Sequence, residues 1–318
     1  MASPSRFAAA VAVVLFSLAS PLSAFVRNHS PSGVSRTNIL RSMTATDAAT
    51  ATTATDGDTS SSVSPFAAIP NPPPTKAATA VIFDIDGTLA DSWRLGYDAT
   101  VVVLNSNDLG NIEINEEIYH SHCVYATPER LARHAGLMPG DDDFESVGED
   151  LGRQFDEHYV KLVSSETCAF YPGMMNILEK LPQDVKLGAL TNACAAYGHE
   201  VLKVNCPVRS ALDNTNGLGF SLYSRFGTIH GADTVPAPKP SPEGLLQCAR
   251  ELGLEDDLSN MIYVGDAVGD GRAARAAGMV SVGVLWGSNS EEKLRSADTF
   301  DYIVGSVDEL KTLLPQQK

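Results

Sequence analysis

Residues 79–92 read TAVIFDIDGTLADS, and this stretch decides the fold. Thr79 to Phe83 is a continuous apolar run, the pattern of a strand buried on both faces of a sheet. It ends at Asp84, and a second acid follows at Asp86, just ahead of Gly87 and Thr88. Two carboxylates one residue apart at a strand end point to the same side, and a turn at Gly87 lets Asp86 curl back over Asp84. An ordinary bend also uses Asp and Gly. A D-x-D-G-T run directly after an apolar strand is too rare by composition to be only that.

Working outward, further apolar runs predict strands at Lys186–Leu190, Met261–Gly265, Val280–Leu285 and Asp301–Val304. Helical patterns separate several of them. Ser241-Pro242-Glu243 starts one helix with a cap, a first-turn proline and an early acid, and Gly278 closes another. Strands alternating with helices predict an α/β fold, a doubly wound parallel sheet. Between Ser92 and Phe170 the texture changes and no strand is predicted. Phe144, Val147, Leu151, Phe155, Tyr159 and Leu162 recur at spacings of three and four, the stripe of an amphipathic helix. Thr127-Pro128-Glu129 marks another helix start. Residues 92–170 are therefore expected to form an inserted helical cap, and 77–91 with 171–318 the core domain.

Three more segments carry chemistry, each where a strand is predicted to end, the edge at which open α/β sheets bind ligands. Leu190-Thr191-Asn192 brings a hydroxyl and backbone N–H groups to a strand-to-helix turn, which suits a phosphate oxygen. In Pro238-Lys239-Pro240, prolines on both sides stiffen the backbone that carries an ammonium. Residues 265–271, Gly-Asp-Ala-Val-Gly-Asp-Gly, join a strand to the Arg272–Ala277 helix. The glycines are not spaced as a dinucleotide loop, and two acids would repel a pyrophosphate. Asp266 and Asp270 beside Asp84 make better sense as oxygen ligands for Mg²⁺. Carboxylates this crowded repel one another by about 4 kcal/mol per pair at 4 Å, so a cation and Lys239 are needed to offset them.

These four segments, in this order, resemble the haloacid dehalogenase superfamily, in its phosphatase branch with a helical cap inserted after the first motif. The resemblance runs from about Thr79 to Leu314. It implies that Asp84 is a nucleophile that becomes an aspartyl phosphate. It implies that Asp86, kept protonated by neighbouring carboxylates, is the general acid and then the base. Mg²⁺ would be held by Asp84, the backbone carbonyl of Asp86, and Asp266, with Asp270 as a ligand or behind one. Thr191, Asn192 and Lys239 would grip the phosphoryl oxygens. The second acid also argues for an oxygen leaving group, since dehalogenases of this fold lack it. Pro172-Gly173-Met174 and the loops at 190–192 and 265–271 look most like phosphoglycolate phosphatases. A sugar-phosphate or sugar-bisphosphate phosphatase and a phosphosugar mutase fit the same motifs, and a catalytically idle binding relative is the reading from another class. Trp93 and Arg94, opening the cap, are candidates to touch the leaving group.

The first 76 residues read as an address. Arg6 precedes the apolar run Phe7–Leu22, which ends at Ser23-Ala24, the pattern of a signal peptide over 1–24. The run falls short of the roughly 20 apolar residues of a spanning helix. Residues 25–43 are Ser- and Arg-rich and acid-free, and the pair resembles the two-part presequence that directs proteins into secondary plastids. An Ala/Thr/Ser and Pro-rich linker completes 25–76. The plastid stroma is the expected location, with secretion second.

Three acids (Asp47, Asp56, Asp58) and five cations (Arg6, Arg27, Arg36, Arg41, Lys76) precede Ala77. Of the chain's 39 acids and 23 cations the remainder thus carries 36 and 18, a net charge near −18. Such a surface repels nucleic acid and anionic membrane, and a small phosphorylated metabolite would need a locally positive pocket. Cys123, Cys168, Cys194, Cys206 and Cys248 show no paired spacing and read as reduced thiols. His120 and His122, beside Cys123, are a second place where a metal could be held. Oligomeric state is not legible.

Overall fold

The computed structural model describes residues 77–107, 109, 112–207 and 221–317. The signal peptide, transit peptide and linker expected over 1–76 lie outside them. Six strands form one sheet: β1 (Ala80–Phe83), β2 (Lys186–Leu190), β3 (Phe226–His230), β4 (Met261–Gly265), β5 (Val280–Val284) and β6 (Tyr302–Val304). Their order is β3-β2-β1-β4-β5-β6 and every pairing is parallel. β1 therefore lies at the centre, where the winding direction reverses, and all four of its residues are buried. Successive side chains feed opposite layers. Val81 and Phe83 pack with Leu187, Ala189, Ile262 and Val264, while Ala80 and Ile82 pack with Leu245, Ala249, Tyr263 and Ala273. An unbroken apolar run is thus required because both faces are covered.

Among the described residues there are ten α-helices. Four follow β1: α1 (Trp93–Ser106), α2 (Glu116–His122), α3 (Thr127–His134) and α4 (Phe144–Leu162). No strand interrupts them; Ala90 and Phe170 form one isolated bridge at the ends of this insertion. The α4 stripe turns Leu151, Phe155 and Tyr159 inward, whereas Leu162, at the helix end, is exposed. Arg130 of α3 is buried among these helices. It donates to Thr100 Oγ1 at 2.9 Å and lies over the rings of Phe155 and Tyr119. No carboxylate lies within ion-pair distance of it among the described residues.

The remaining helices are α5 (Met174–Lys180), α6 (Ala195–Asn205), α7 (Glu243–Leu252), α8 (Val268–Ala277), α9 (Glu291–Ala297) and α10 (Val307–Leu313). The Ser241 hydroxyl accepts from the Glu243 N–H at the start of α7, and Gly278 ends α8 in the left-handed conformation at φ 78°. Two elements differ from expectation. β3 was not predicted, because FGTIH offers only Phe226 and Ile229 as strong apolar residues and is an edge strand. α8 begins at Val268 rather than Arg272, so Asp270 already belongs to its first turn. There its Oδ2 accepts the Ala267 N–H at 2.9 Å, which starts the helix within the glycine-rich run. All five cysteines are free and four are buried. Among the described residues no helix is long and apolar enough to cross a membrane.

Candidate active site

The ends of β1 and β4 put two acids side by side. Asp84 leaves β1 with its N–H on the Val264 carbonyl at 2.8 Å, which extends the ladder by one step, and Asp266 directly follows β4. Asp270 comes in from the first turn of α8. Asp84, Asp266 and Asp270 are all buried, and one oxygen of each lies within 4.8 Å of the others. No other group of three or more metal-type side chains occurs among the described residues. His122, from the second expected metal position, instead pairs Nδ1 to Nδ1 with His134 at 3.3 Å.

Lys239 reaches into this cluster from the loop before α7. Its ammonium donates to Asp84 Oδ1 at 2.6 Å, to the Tyr263 hydroxyl at 2.9 Å and to the Leu190 carbonyl at 3.2 Å, and lies 2.8 Å from Asp270 Oδ1. Its backbone is clamped by Asn192, whose amide donates to the Lys239 carbonyl and accepts the Lys239 N–H, both at 3.0 Å. Sequence reasoning gave Asn192 a grip on phosphate. Its side chain fixes the lysine loop through these two bonds.

The electrostatics follow from burial. Three carboxylates and one ammonium share a site almost closed to water. Burial pushes the Asp84 carboxyl well above the usual range; Lys239 pulls it back, and Asp270, Asp266 and Asp86 push it further up. Asp266 is raised to about 7, again by burial first and Asp270 second, with the Ser288 N–H and Lys239 opposing. For Lys239, burial favours the neutral form, but Asp270 and Asp84 outweigh it and hold the ammonium charged.

Asp86 is adjacent but faces elsewhere. Its Oδ1 accepts the hydroxyls of Ser92 at 2.5 Å, Tyr197 at 2.6 Å and Tyr159 at 3.2 Å, and its Oδ2 accepts Thr191 Oγ1 at 3.0 Å. The carboxylate of Asp86 is thus outside the acidic trio. Its backbone carbonyl receives no hydrogen bond among the described residues. Thr191, expected on phosphate, has its hydroxyl on Asp86. Of the two residues opening the cap, Arg94 is on the surface, paired with Asp98 at 3.0 Å, and Trp93 packs on the His120 ring.

Sequence reasoning missed Ser92, Tyr159, Tyr197, Tyr263 and Ser288. Ser92 stood in the opening stretch, and Tyr159 in the α4 stripe as a core residue. Periodicity tells which way a side chain faces and not what its hydroxyl meets. Gly287 was missed too. The Asp266 carboxylate lies so close to Gly87 and Gly287 that a Cβ on either would fall 2.6 and 2.2 Å from its Oδ2. Gly87 also has φ +73°, where L side chains are strained by about 1–2 kcal/mol. Gly87→Ala is therefore expected to lower stability by at least that amount, since the added methyl also displaces Asp266. Urea unfolding in EDTA checks this; a wild-type midpoint would show that neither the left-handed turn nor the contact with Asp266 requires glycine.

The profile of the haloacid dehalogenase-like hydrolases matches residues 81–284, well over half the chain. A phosphoglycolate phosphatase of Neisseria meningitidis is 31% identical over 247 residues, covering 75% of this chain and 94% of its own. Among solved structures, CbbY of Rhodobacter sphaeroides in complex with xylulose-(1,5)-bisphosphate superposes with a TM-score of 0.57. It is 21% identical and covers 73% of this chain and 96% of that one. A haloacid dehalogenase-like family protein of Streptococcus pneumoniae gives 0.57 at 19% identity, with 74% and 98% covered.

Proposed function

Because this chain belongs to the haloacid dehalogenase-like hydrolases and is a phosphatase, we propose that it hydrolyses a small phosphate monoester, 2-phosphoglycolate first, through an aspartyl phosphate on Asp84. The observation that carries this reading is the placement of Asp84. A buried carboxylate stands at the central strand's end with an ammonium at 2.6 Å, and a second acid follows two residues on.

The donor set fits a divalent cation. Three buried carboxylates against one buried ammonium leave a deficit of two positive charges, and burial first, then that crowding of acids, pushes Asp84 and Asp266 up. Asp84, Asp266 and the open carbonyl of Asp86 are the ligands proposed. Asp270, whose oxygens are engaged by Lys239, Tyr263 and Ala267, holds the lysine in place. Bound there, Mg²⁺ would supply charge that lets an anionic nucleophile approach an anionic phosphoryl group.

The rest is the chain's own chemistry. The Asp84 carboxylate forms a bond to phosphorus as the bond to the leaving oxygen breaks, and Asp86 gives that oxygen its proton. A water then attacks phosphorus, its proton passes to Asp86, and the bond to Asp84 breaks to restore the carboxylate. Lys239 and the N–H groups after β2 offset the charge of the phosphoryl oxygens. The helices α1–α4 act as the cap, excluding water and bulky substrates. Arg130 is one ring removed from Tyr159, which touches Asp86, and its positive field favours a substrate with a second anionic group. That supports 2-phosphoglycolate, as do the relatives. It is equally compatible with a sugar bisphosphate. The plastid stroma remains our proposal for location, testable by fusing residues 1–76 to a fluorescent protein.

The test is phosphate release by the purified protein from 2-phosphoglycolate, hexose and pentose phosphates, bisphosphates and nucleotides, with Mg²⁺ or with EDTA. A preference for 2-phosphoglycolate of about tenfold or more, lost in EDTA, is expected. Preference for a sugar phosphate would replace the substrate and keep the mechanism. Undiminished release in EDTA would remove the metal from it.

A further inference from the structure

Asp86 accepts four hydroxyls, and two of them come from stacked tyrosines, one on a core helix and one on an inserted helix. Tyr197 belongs to α6, in the core, and Tyr159 to α4, in the cap. Their rings lie 4.1 Å apart at an interplanar angle of 14°, and both hydroxyls converge on Asp86 Oδ1, at 2.6 and 3.2 Å. Both side chains are buried, so neither hydroxyl has water as an alternative partner. A buried phenol is kept only where its hydroxyl finds a partner, since phenylalanine would fill the same space at no desolvation cost. Here the partner of both is one carboxylate oxygen. Ser92 is the third donor to Oδ1, and Thr191 takes Oδ2. The carboxyl plane of Asp86 is thereby set by groups on four separate segments of chain.

The position of Tyr159 adds a condition. α4 reaches the core here by laying Tyr159 on Tyr197, so the full set of donors to Asp86 exists only while α4 is seated on α6. We infer that Tyr159 and Tyr197 are positioning residues that orient Asp86 toward the leaving oxygen and make that orientation depend on the seating of the cap. The consequence is an ordered site. Proton delivery is in register when the cap covers the substrate and falls out of register when it lifts, which limits turnover of phosphates that cannot be enclosed. The inference rests on the reading of Asp86 as the general acid, and the experiment separates the two.

The discriminating readout is the leaving group. An alkoxide needs a proton as it departs, whereas p-nitrophenolate departs unaided, so a misplaced acid slows formation of the aspartyl phosphate, which kcat/KM reads, only from the alkyl phosphate; the later attack of water also uses Asp86 but is common to both. Tyr197→Phe, Tyr159→Phe and Asp86→Asn would be made in the full chain and assayed with 2-phosphoglycolate, or the best alkyl monophosphate of the panel above, and with p-nitrophenyl phosphate. The phenylalanine variants keep ring, volume and stacking, and their unfolding midpoints would confirm it. Tyr197→Phe is expected to lower kcat/KM on the alkyl phosphate by about 10–100-fold, part of the 10²–10⁴ attributed to a general acid. Its kcat/KM on p-nitrophenyl phosphate should fall less than about threefold. Tyr159→Phe, with the longer contact, should show the same asymmetry more weakly. Equal losses on both substrates, or none on either, would overturn the positioning role while Asp86→Asn still discriminates. If Asp86→Asn itself fails to discriminate, Asp86 is not the acid, and the inference falls with it.

Discussion

Asp84→Asn is expected to remove turnover by about 10⁴-fold or more while leaving the protein folded. The side chains are nearly identical in volume; the amide oxygen can still accept from Lys239 Nζ, and the amide nitrogen, in place of the other oxygen, can donate to Thr88 Oγ1. What is lost is the anionic oxygen that the proposed mechanism joins to phosphorus. The stability sign follows from linkage. The folded-state carboxyl of Asp84 is raised above its ordinary value, so in metal-free protein its ionisation opposes folding as pH climbs past the unfolded value. An amide does not ionise, and at pH 8 in EDTA the variant should unfold no earlier than wild type. Added Mg²⁺ should then stabilise wild type more than the variant, because a ligand charge has gone. Residual activity above about 1% of wild type in a clean preparation would sink the nucleophile assignment. Failure to fold in EDTA would instead mean that the ion pair with Lys239 outweighs the burial of Asp84.

The central strand and the acids at its end were legible because one constraint wrote both. A strand covered on two faces must be continuously apolar, so the first charge at its end is conspicuous. Asp84 and Asp266 were found in this way, Asp270 by its spacing after Asp266 and Lys239 by the prolines on either side of it, and the structure gathers them. The helix stripe on α4 was equally plain. Legibility stopped where a side chain serves something distant in sequence. Asn192 looked like a phosphate ligand because it follows a strand. Its partner is the backbone of Lys239, 47 residues on, and nothing in Thr-Asn announces that. Tyr159 and Tyr197 are 73 and 111 residues from Asp86. Each was hidden by satisfying a simpler pattern, an aromatic on a buried face. β3 escaped for another reason. An edge strand has one neighbour and less apolar surface to cover, so its five residues carry little signal.

Lys239→Met probes the same cluster from the cationic side. The methionine matches the length of the lysine stem and removes the one ammonium facing Asp84 and Asp270. Removing one partner of a buried ion pair typically costs about 3–5 kcal/mol, because the carboxylates left behind have neither water nor a counter-charge. Activity should fall by about 10³-fold, since a phosphoryl oxygen loses the same cation. The deficit in stability should depend on pH in a set direction. Asp266 titrates near 7 in the folded protein, and Asp84 is also held above its unfolded value, both of them with Lys239 still helping. Without it both carboxyls rise further. As pH climbs past the unfolded values ionisation opposes folding in both proteins alike; the gap opens once pH passes the wild-type values, about 7 for Asp266, above which the variant goes on losing stability. Urea unfolding in EDTA at pH 5.5 and 8 reads this directly. The loss at pH 8 should shrink when Asp84→Asn is added, because the charge needing compensation is gone, and the two substitutions should be markedly non-additive. A deficit that is flat across pH and additive with Asp84→Asn would show that the lysine acts by packing, and the electrostatic account of this site would have to be abandoned.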